Sequence, residues 1–294
     1  MAWVRSVVSS AWLAEAIRTA KAGTLRVLDC SWYLPTVPRN GRKEFEERHI
    51  PGAAFFDLDE CSDTSSPYDH MMPPAEHFGQ YVGALGIGNA THVVVYDASD
   101  WGMFCSPRVW WMFRAFGHRR VSVLDGGLKL WCRQGLPVTA EIQQLPPAQF
   151  QPQPRPCVVK SFEQVLDNID SKEFQLVDSR PSGRFQGTQP EPRPGFDPGH
   201  IPGSVNIPFI EFLDPETLRI KSEKELRSIF EERGVDLSRP LVGTCGTGIS
   251  ACHIALAANL CGQDDVMIYD GAWVEWFKRA NPSYIISVKS EKTG

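Results

Sequence analysis

Cys245 ends an apolar run, Leu241-Val242-Gly243-Thr244. It is followed by Gly246-Thr247-Gly248-Ile249-Ser250-Ala251 and then by a largely apolar stretch to Cys261. This order predicts a buried strand, a glycine-rich turn and a helix. Such a turn can aim its backbone N–H groups at one point, and the helix behind it adds the positive end of its dipole. Both favour an anion, so a cysteine at the head of the turn is placed to act as a thiolate nucleophile. Two other readings use the same residues. A cysteine before a helix can be a buried structural thiol. Gly246-x-Gly248-x-x-Ala251 with Asp270 downstream also fits a short dinucleotide fingerprint, but it falls too late in the chain to found the half-domain such a site needs.

The elements that must carry this loop occur twice. Leu25-Arg26-Val27-Leu28-Asp29 is echoed by Phe174-Gln175-Leu176-Val177-Asp178, and Arg48-His49-Ile50-Pro51-Gly52-Ala53 by Gly199-His200-Ile201-Pro202-Gly203-Ser204. His92 to Asp97 matches Pro240 to Cys245, and Leu124-Asp125-Gly126-Gly127 with Trp131 matches Tyr269-Asp270-Gly271-Ala272 with Trp276. Four matches in one order, at offsets of 145 to 151 residues, make the chain two copies of one domain. The first copy has Asp97 where the second has Cys245. An acid cannot do thiol chemistry, so one copy is active and the other is scaffold. His49 and His200, present in both, read as structural.

Short β-branched runs at Val93–Tyr96, Val121–Leu124, Leu241–Thr244 and Val266–Tyr269 predict buried strands. Ala75–Leu85, Pro107–Phe116, Glu223–Arg233 and Ile249–Cys261 predict helices. The alternation predicts an α/β fold, two tandem domains, each a mainly parallel sheet with helices on both faces. The segment 145–156 holds five prolines in twelve residues and reads as an extended, semi-rigid linker. The expected domains are residues 1–140, a linker over 141–158, and a catalytic domain over 159–294.

A length of 294 residues suits two domains, and 42% hydrophobic residues suit a globular chain. With 35 acidic against 30 basic residues, the net charge of −5 argues against a nucleic-acid surface. No apolar run is long enough for a membrane-spanning helix. The eight cysteines show no C-x-x-C spacing, so no zinc or dithiol motif is expected, and most read as buried, reduced thiols. No metal or cofactor is called for. Residues 3 to 22 carry Arg5, Arg18 and Lys21 against Glu15 alone, mildly like a mitochondrial address. The same segment predicts a first helix behind Ser9 and Ser10, with Trp12, Leu13, Ala16 and Ile17 on its apolar face. A mitochondrial or cytoplasmic location is the expectation.

At Asp29-Cys30-Ser31-Trp32-Tyr33, Arg48-His49-Ile50-Pro51-Gly52-Ala53, Ser106-Pro107-Arg108-Val109-Trp110-Trp111, Gly199-His200-Ile201-Pro202-Gly203 and the Cys245 loop, the chain resembles the tandem-domain sulfurtransferases of the rhodanese family. The resemblance covers nearly the whole chain and implies two α/β domains, only the second with the catalytic cysteine. Thiosulfate-using members resemble Cys-Arg-Lys-Gly-x-Thr; here Gly246 and Thr247 are neutral. Mercaptopyruvate-using members carry Cys-Gly-Ser-Gly, with Thr247 standing in for the serine. Ser250, usually threonine, and Phe104, often tyrosine, depart from the pattern. The resemblance implies that Arg184 and Arg193 hold a substrate carboxylate and that Asp59 and His70 form a relay with Thr247. Loop residues Gly246, Gly248, Ile249 and Ser250 would then line the donor. From the residues alone, the arginines read as solvated on an exposed loop, His70 as a loop histidine, and Asp59 equally as a helix cap.

The expected function is sulfur transfer from 3-mercaptopyruvate through a Cys245 persulfide to thioredoxin, a small dithiol or cyanide, by a monomer or weak homodimer. Thiosulfate is the alternative donor, and a non-catalytic sulfur-relay module the second alternative. A related Cys-x5-Arg phosphatase is disfavoured because Ala251 stands where its arginine would be.

Overall fold

A computed structural model describes residues 4–288; the outer ends of the two expected domains, residues 1–3 and 289–294, lie outside it. The first half contains β1 (Val7–Val8), α1 (Ser10–Thr19), β2 (Leu25–Asp29), α2 (Gly41–Glu47), β3 (Ala53–Phe55), α3 (Ala75–Ala84), β4 (His92–Tyr96), α4 (Ser106–Ala115), β5 (Val121–Leu124) and α5 (Gly127–Arg133). The second half contains β6 (Val159–Lys160), α6 (Phe162–Ser171), β7 (Gln175–Asp178), α7 (Ser182–Gln186), β8 (Val205–Asn206), α8 (Glu223–Glu232), β9 (Leu241–Thr244), α9 (Cys252–Leu260), β10 (Met267–Tyr269) and α10 (Ala272–Arg279). Each half forms a five-stranded sheet, in the orders β1-β5-β4-β2-β3 and β6-β10-β9-β7-β8. Every pairing is parallel, and the two topologies are identical, as a duplicated domain requires.

The central strands β4 and β9 are apolar almost throughout and buried on both faces, because helices cover both sides. On the outer face of the first sheet, Leu13 of α1, Phe45 of α2 and Trp131 of α5 form one core. Phe162 of α6 with Trp273 and Trp276 of α10 do the same in the second half. The inner faces differ. Residues of α3 and α4 share a single continuous core with residues of α8 and α9, so the two halves bury their inner helices against one another.

The proline-rich segment has no helix or strand from residue 141 to 155, yet it is strapped to the first half. Ala148 N–H donates to the Gly83 carbonyl, Gln153 N–H to Phe116 and Arg155 N–H to Ala115. Phe150 is buried among Phe78, Phe113 and Phe116. A side chain at Gly83 would collide with the Ala148 carbonyl, which explains the glycine in α3.

Two expectations need correction. The first helix is capped by Ser9, which accepts from Trp12 N–H at 3.2 Å, but its buried face is narrower than predicted. Leu13 is fully buried while Trp12 is 42% exposed, its ring leaning on His92 at 5.4 Å. Helix α9 begins at Cys252 rather than Ile249. Residues 249–251 are held in a tight turn, with Cys252 N–H on the Ile249 carbonyl and His253 N–H on Ser250. The paired histidines are built into the fold alike. His49 Nδ1 meets the Phe45 carbonyl and stacks on that ring; His200 does the same with Phe185. Six of the eight cysteines are buried, Cys132 is half-buried and Cys157 is exposed. Burial raises the thiol pKa of Cys30, Cys61 and Cys252, which marks these three as inert.

Candidate active site

The end of β9 hands the chain to the loop at the carboxyl edge of the second sheet, where parallel sheets bind ligands. Helix α10 grips the loop from behind: Trp273 N–H donates to the Cys245 carbonyl at 2.9 Å and Val274 N–H to Gly246 at 3.2 Å. Gly248 has φ +79°, a left-handed bend that glycine takes without strain. Among the described residues, the backbone N–H groups from Gly246 to Ala251 have no internal acceptor. Buried amides of this kind need an external partner.

The first copy shows what such a loop holds. There Asp97, at the position of Cys245, turns its carboxylate into its own loop. Its Oδ2 accepts from the backbone N–H groups of Phe104, Cys105 and Ser106 at 2.8, 3.0 and 2.8 Å and from the Ser106 hydroxyl at 2.7 Å. A carboxylate at the start of α4 fills the first copy's cradle. In the second copy Cys245 stands at the position of that aspartate.

His70 arrives from the other domain. Its Nδ1 lies 3.0 Å from Thr247 Oγ1 and its Nε2 lies 3.1 Å from Asp59 Oδ1. Trp32 packs edge-on against the imidazole at 4.7 Å and donates its Nε1–H to Asp59 Oδ2. Burial lowers the His70 pKa, against the opposing pull of Asp59, and the His70 hydrogen bond lowers that of Asp59. The pair is therefore a neutral imidazole on a carboxylate. Its Nε2–H donates to Asp59, which leaves Nδ1 to accept the Thr247 hydroxyl proton. His70 has φ +62°, a conformation that costs a non-glycine residue about 1 kcal/mol or more. Asp59 caps no helix; it sits in a turn where its own N–H donates to Asp57.

Arg184, in α7, lies over the loop: a side chain at Gly246 would come within 3.2 Å of its Nη2. Its Nε and Nη2 both donate to Glu191 Oε2, and Glu191 Oε1 accepts from Arg180 at 2.9 Å. Arg180 is buried against Asp178 at the end of β7 and over the Trp273 ring. Asp178, Arg180, Glu191 and Arg184 thus form a chain of alternating charge running from the sheet to the loop. Arg193 donates from Nε to Asp69 at 2.8 Å and faces Trp32. With Trp32, Asp59, Tyr68, Asp69 and His70 it lines a groove of about 570 Å³. Both arginines already have a carboxylate partner and present their remaining N–H groups. Ile249 and Ser250 turn inward: Ile249 is core, and the Ser250 hydroxyl pairs with Ser179 at 2.9 Å. Only their backbone amides can face a donor. Phe104 stands in an aromatic wall with Trp32, Trp101 and Phe209.

The rhodanese-like domain model matches this chain twice, over residues 9–134 and 161–279. The chain belongs to the rhodanese family. It is 60% identical over 290 residues to the human 3-mercaptopyruvate sulfurtransferase, covering 98% of this chain and 97% of that protein. It is 58% identical over 285 residues to the thiosulfate sulfurtransferase of Rattus norvegicus, covering 96% and 95%. The solved SseA of Escherichia coli, described with the 3-mercaptopyruvate sulfotransferases, superposes with a TM-score of 0.81 at 35% identity, covering 93% of this chain and 99% of SseA.

In this chain, the sequence-predicted residues Cys245, Thr247, His70 and Asp59 come together from both domains, with Arg184 against the loop and Arg193 across the groove. Sequence reasoning assigned nothing to Glu191 or to the Trp32 side chain. Glu191 lies between the two arginines in the same glycine- and proline-rich segment, and an acid between two candidate anion-binding cations was the available signal.

Proposed function

We propose that this sulfurtransferase takes its sulfur from 3-mercaptopyruvate. The loop carries the reading: Cys245 heads a run of unpaired amides, with the small neutral Gly246 beside it and Arg184 across that glycine. A dianionic donor would be served better by cations in the loop; a monocarboxylate needs one or two forked donors nearby.

In this reading the Cys245 thiolate attacks the sulfur of the donor. A sulfur–sulfur bond forms, the carbon–sulfur bond breaks, and its electron pair leaves on the pyruvate enolate. The loop amides stabilise negative charge on sulfur. Arg184 and Arg193 hold the carboxylate. The donor's S–H proton passes through the Thr247 hydroxyl to the neutral His70 Nδ1, with Asp59 stabilising the imidazolium, and returns by the same route to the enolate, which becomes pyruvate. The Cys245 persulfide then gives its outer sulfur to a thiol acceptor, for which thioredoxin or a small dithiol is suitable. The relatives' names support sulfur transfer in general. Since a thiosulfate enzyme is nearly as similar as a mercaptopyruvate enzyme, overall identity leaves the donor to the loop.

The test is kcat/KM for 3-mercaptopyruvate and thiosulfate side by side, with Cys245→Ser as control. A mercaptopyruvate preference, no turnover in the serine variant, and one extra sulfur in the intact mass after donor treatment are expected. A thiosulfate preference would transfer donor choice to the arginines and amides. Turnover by Cys245→Ser would overturn the persulfide scheme.

A further inference from the structure

The repeated Asp-Gly motif, Asp125 in the first copy and Asp270 in the second, has no part in the chemistry above. Its geometry across the domain boundary is reciprocal. Asp270 Oδ2 accepts from Met72 N–H at 2.6 Å, and Asp125 Oδ1 accepts from Ile220 N–H at 2.9 Å. Each aspartate takes a backbone amide from the opposite half. Each captured segment also begins with a left-handed non-glycine residue two positions earlier, His70 at φ +62° and Leu218 at φ +63°. The two clasps therefore hold equivalent bends, and only one of those bends carries an imidazole.

The clasp on the active side has a second member. Arg108, fully buried in α4, donates from Nη2 to Asp270 Oδ1 at 2.8 Å and to the His70 carbonyl at 2.6 Å, while Nη1 reaches the Gly248 carbonyl at 3.4 Å. One guanidinium thus ties together the histidine, the nucleophile loop and the aspartate. A fork of this kind fixes direction as well as distance. Left-handed conformations at non-glycine residues persist where surrounding contacts over-determine them.

We propose that Asp270 and Arg108 are positioning residues, which hold the segment 70–72 of the first domain against the Cys245 loop of the second and so deliver the His70 imidazole to Thr247. This rests on the relay assigned to His70 above, and the two claims can fail separately.

The experiment uses the full chain and five variants: Asp270→Asn, Arg108→Lys, His70→Ala, the Asp270→Asn/His70→Ala double variant, and Asp125→Asn as a matched clasp remote from the nucleophile. Asp270→Asn should lower kcat for 3-mercaptopyruvate tenfold or more, with KM changed less than twofold. The double variant should be no slower than His70→Ala alone, because a residue acting through another adds nothing once that one is gone. Asp125→Asn should keep the wild-type kcat. NMR titration of the ¹⁵N-labelled imidazole, assigned by its loss in His70→Ala, reads position directly. Its midpoint is set by burial and by Asp59, Arg193 and Asp69 around it, with Arg108 on its carbonyl. In Asp270→Asn it should rise toward that of a free histidine, and in Asp125→Asn it should not move. Arg108→Lys, which keeps the charge but loses the fork, should raise it too, and serves if Asp270→Asn does not fold. An unmoved His70 midpoint in Asp270→Asn and Arg108→Lys, or losses that multiply in the double variant, would overturn the proposal. If His70→Ala turned over at the wild-type rate, the relay would fall and the imidazole titration would decide positioning alone.

Discussion

At the scale of single residues, the site depends on charges that hold other charges. Glu191 is buried between Arg180 and Arg184. Glu191→Gln keeps the shape but removes the anion, leaving two guanidinium groups with a neutral partner. We expect a loss of about 2 kcal/mol in unfolding free energy and a several-fold rise in KM for 3-mercaptopyruvate, since Arg184 loses the carboxylate that aims it; urea melts and initial rates would check both. His70 gives a prediction with a sign. Burial holds its pKa below the ordinary value of about 6.5, and the neutral ring is the form that accepts from Thr247. The rate should therefore stay level as pH falls through 6.5 and decline only below it. A Thr247→Val variant, lacking the hydroxyl, should lose that acid limb in a pH–kcat profile. Cys245 was legible because glycines and a strand announce the loop. Thr247 was legible only as part of that loop. Asp59 and His70 could not be found by spacing: they sit far from Cys245 in the chain and meet it only when two domains close.

At the scale of elements, the loop works because two glycines do different things. Gly248 has a left-handed backbone, and a side chain there would come within 3.1 Å of Arg108 Nη1 and 3.2 Å of the Asp270 carbonyl. Gly246 has no such backbone demand, and a side chain there would meet only Arg184. Gly248→Ala should therefore cost roughly 1–3 kcal/mol of stability together with most of kcat. Gly246→Ala should fold normally and act through KM. Comparing Tm and KM for the two variants separates the roles; equal Tm losses would contradict the distinction. Strands were legible because parallel sheets buried on both faces leave unbroken β-branched runs, as in His92–Tyr96. The start of α9 was not. Ile249 to Ala251 carry helical residue types, but the turn that frees their amides delays the first helical hydrogen bonds to Cys252. Trp12 was misplaced because its neighbours Leu13, Ala16 and Ile17 set the apolar face, yet its ring only leans on His92 and stays largely exposed.

At the scale of the whole molecule, one core joins the inner helices of both halves, and the linker is laced to the first half through Phe150 and its backbone. Thermal unfolding of the intact chain should be a single transition, with calorimetric and van't Hoff enthalpies in agreement; two resolved transitions would show that each half stands alone. The clasps add a pH signature. Burial raises Asp125 to about 6. A raised carboxyl contributes stability that is present below its unfolded pKa and is lost as pH rises through the folded one. The Tm advantage of wild type over Asp125→Asn should therefore shrink between pH 4 and pH 7. The duplication was legible from four matched segments, because each copy must meet the same sheet topology. The reciprocal contacts were not, since Met72 and Ile220 contribute only backbone amides, which leave no mark on residue type. Those contacts carry a consequence for how the activity behaves on dilution. Cys245 and the His70 imidazole belong to different copies, as they would in a pair of identical subunits facing each other across a two-fold axis. Joined as separate chains, such a site would come apart whenever its subunits grew scarce. Linked through residues 141–158, the halves meet at a fixed local concentration, so bringing Cys245 and His70 together needs no second copy of this chain.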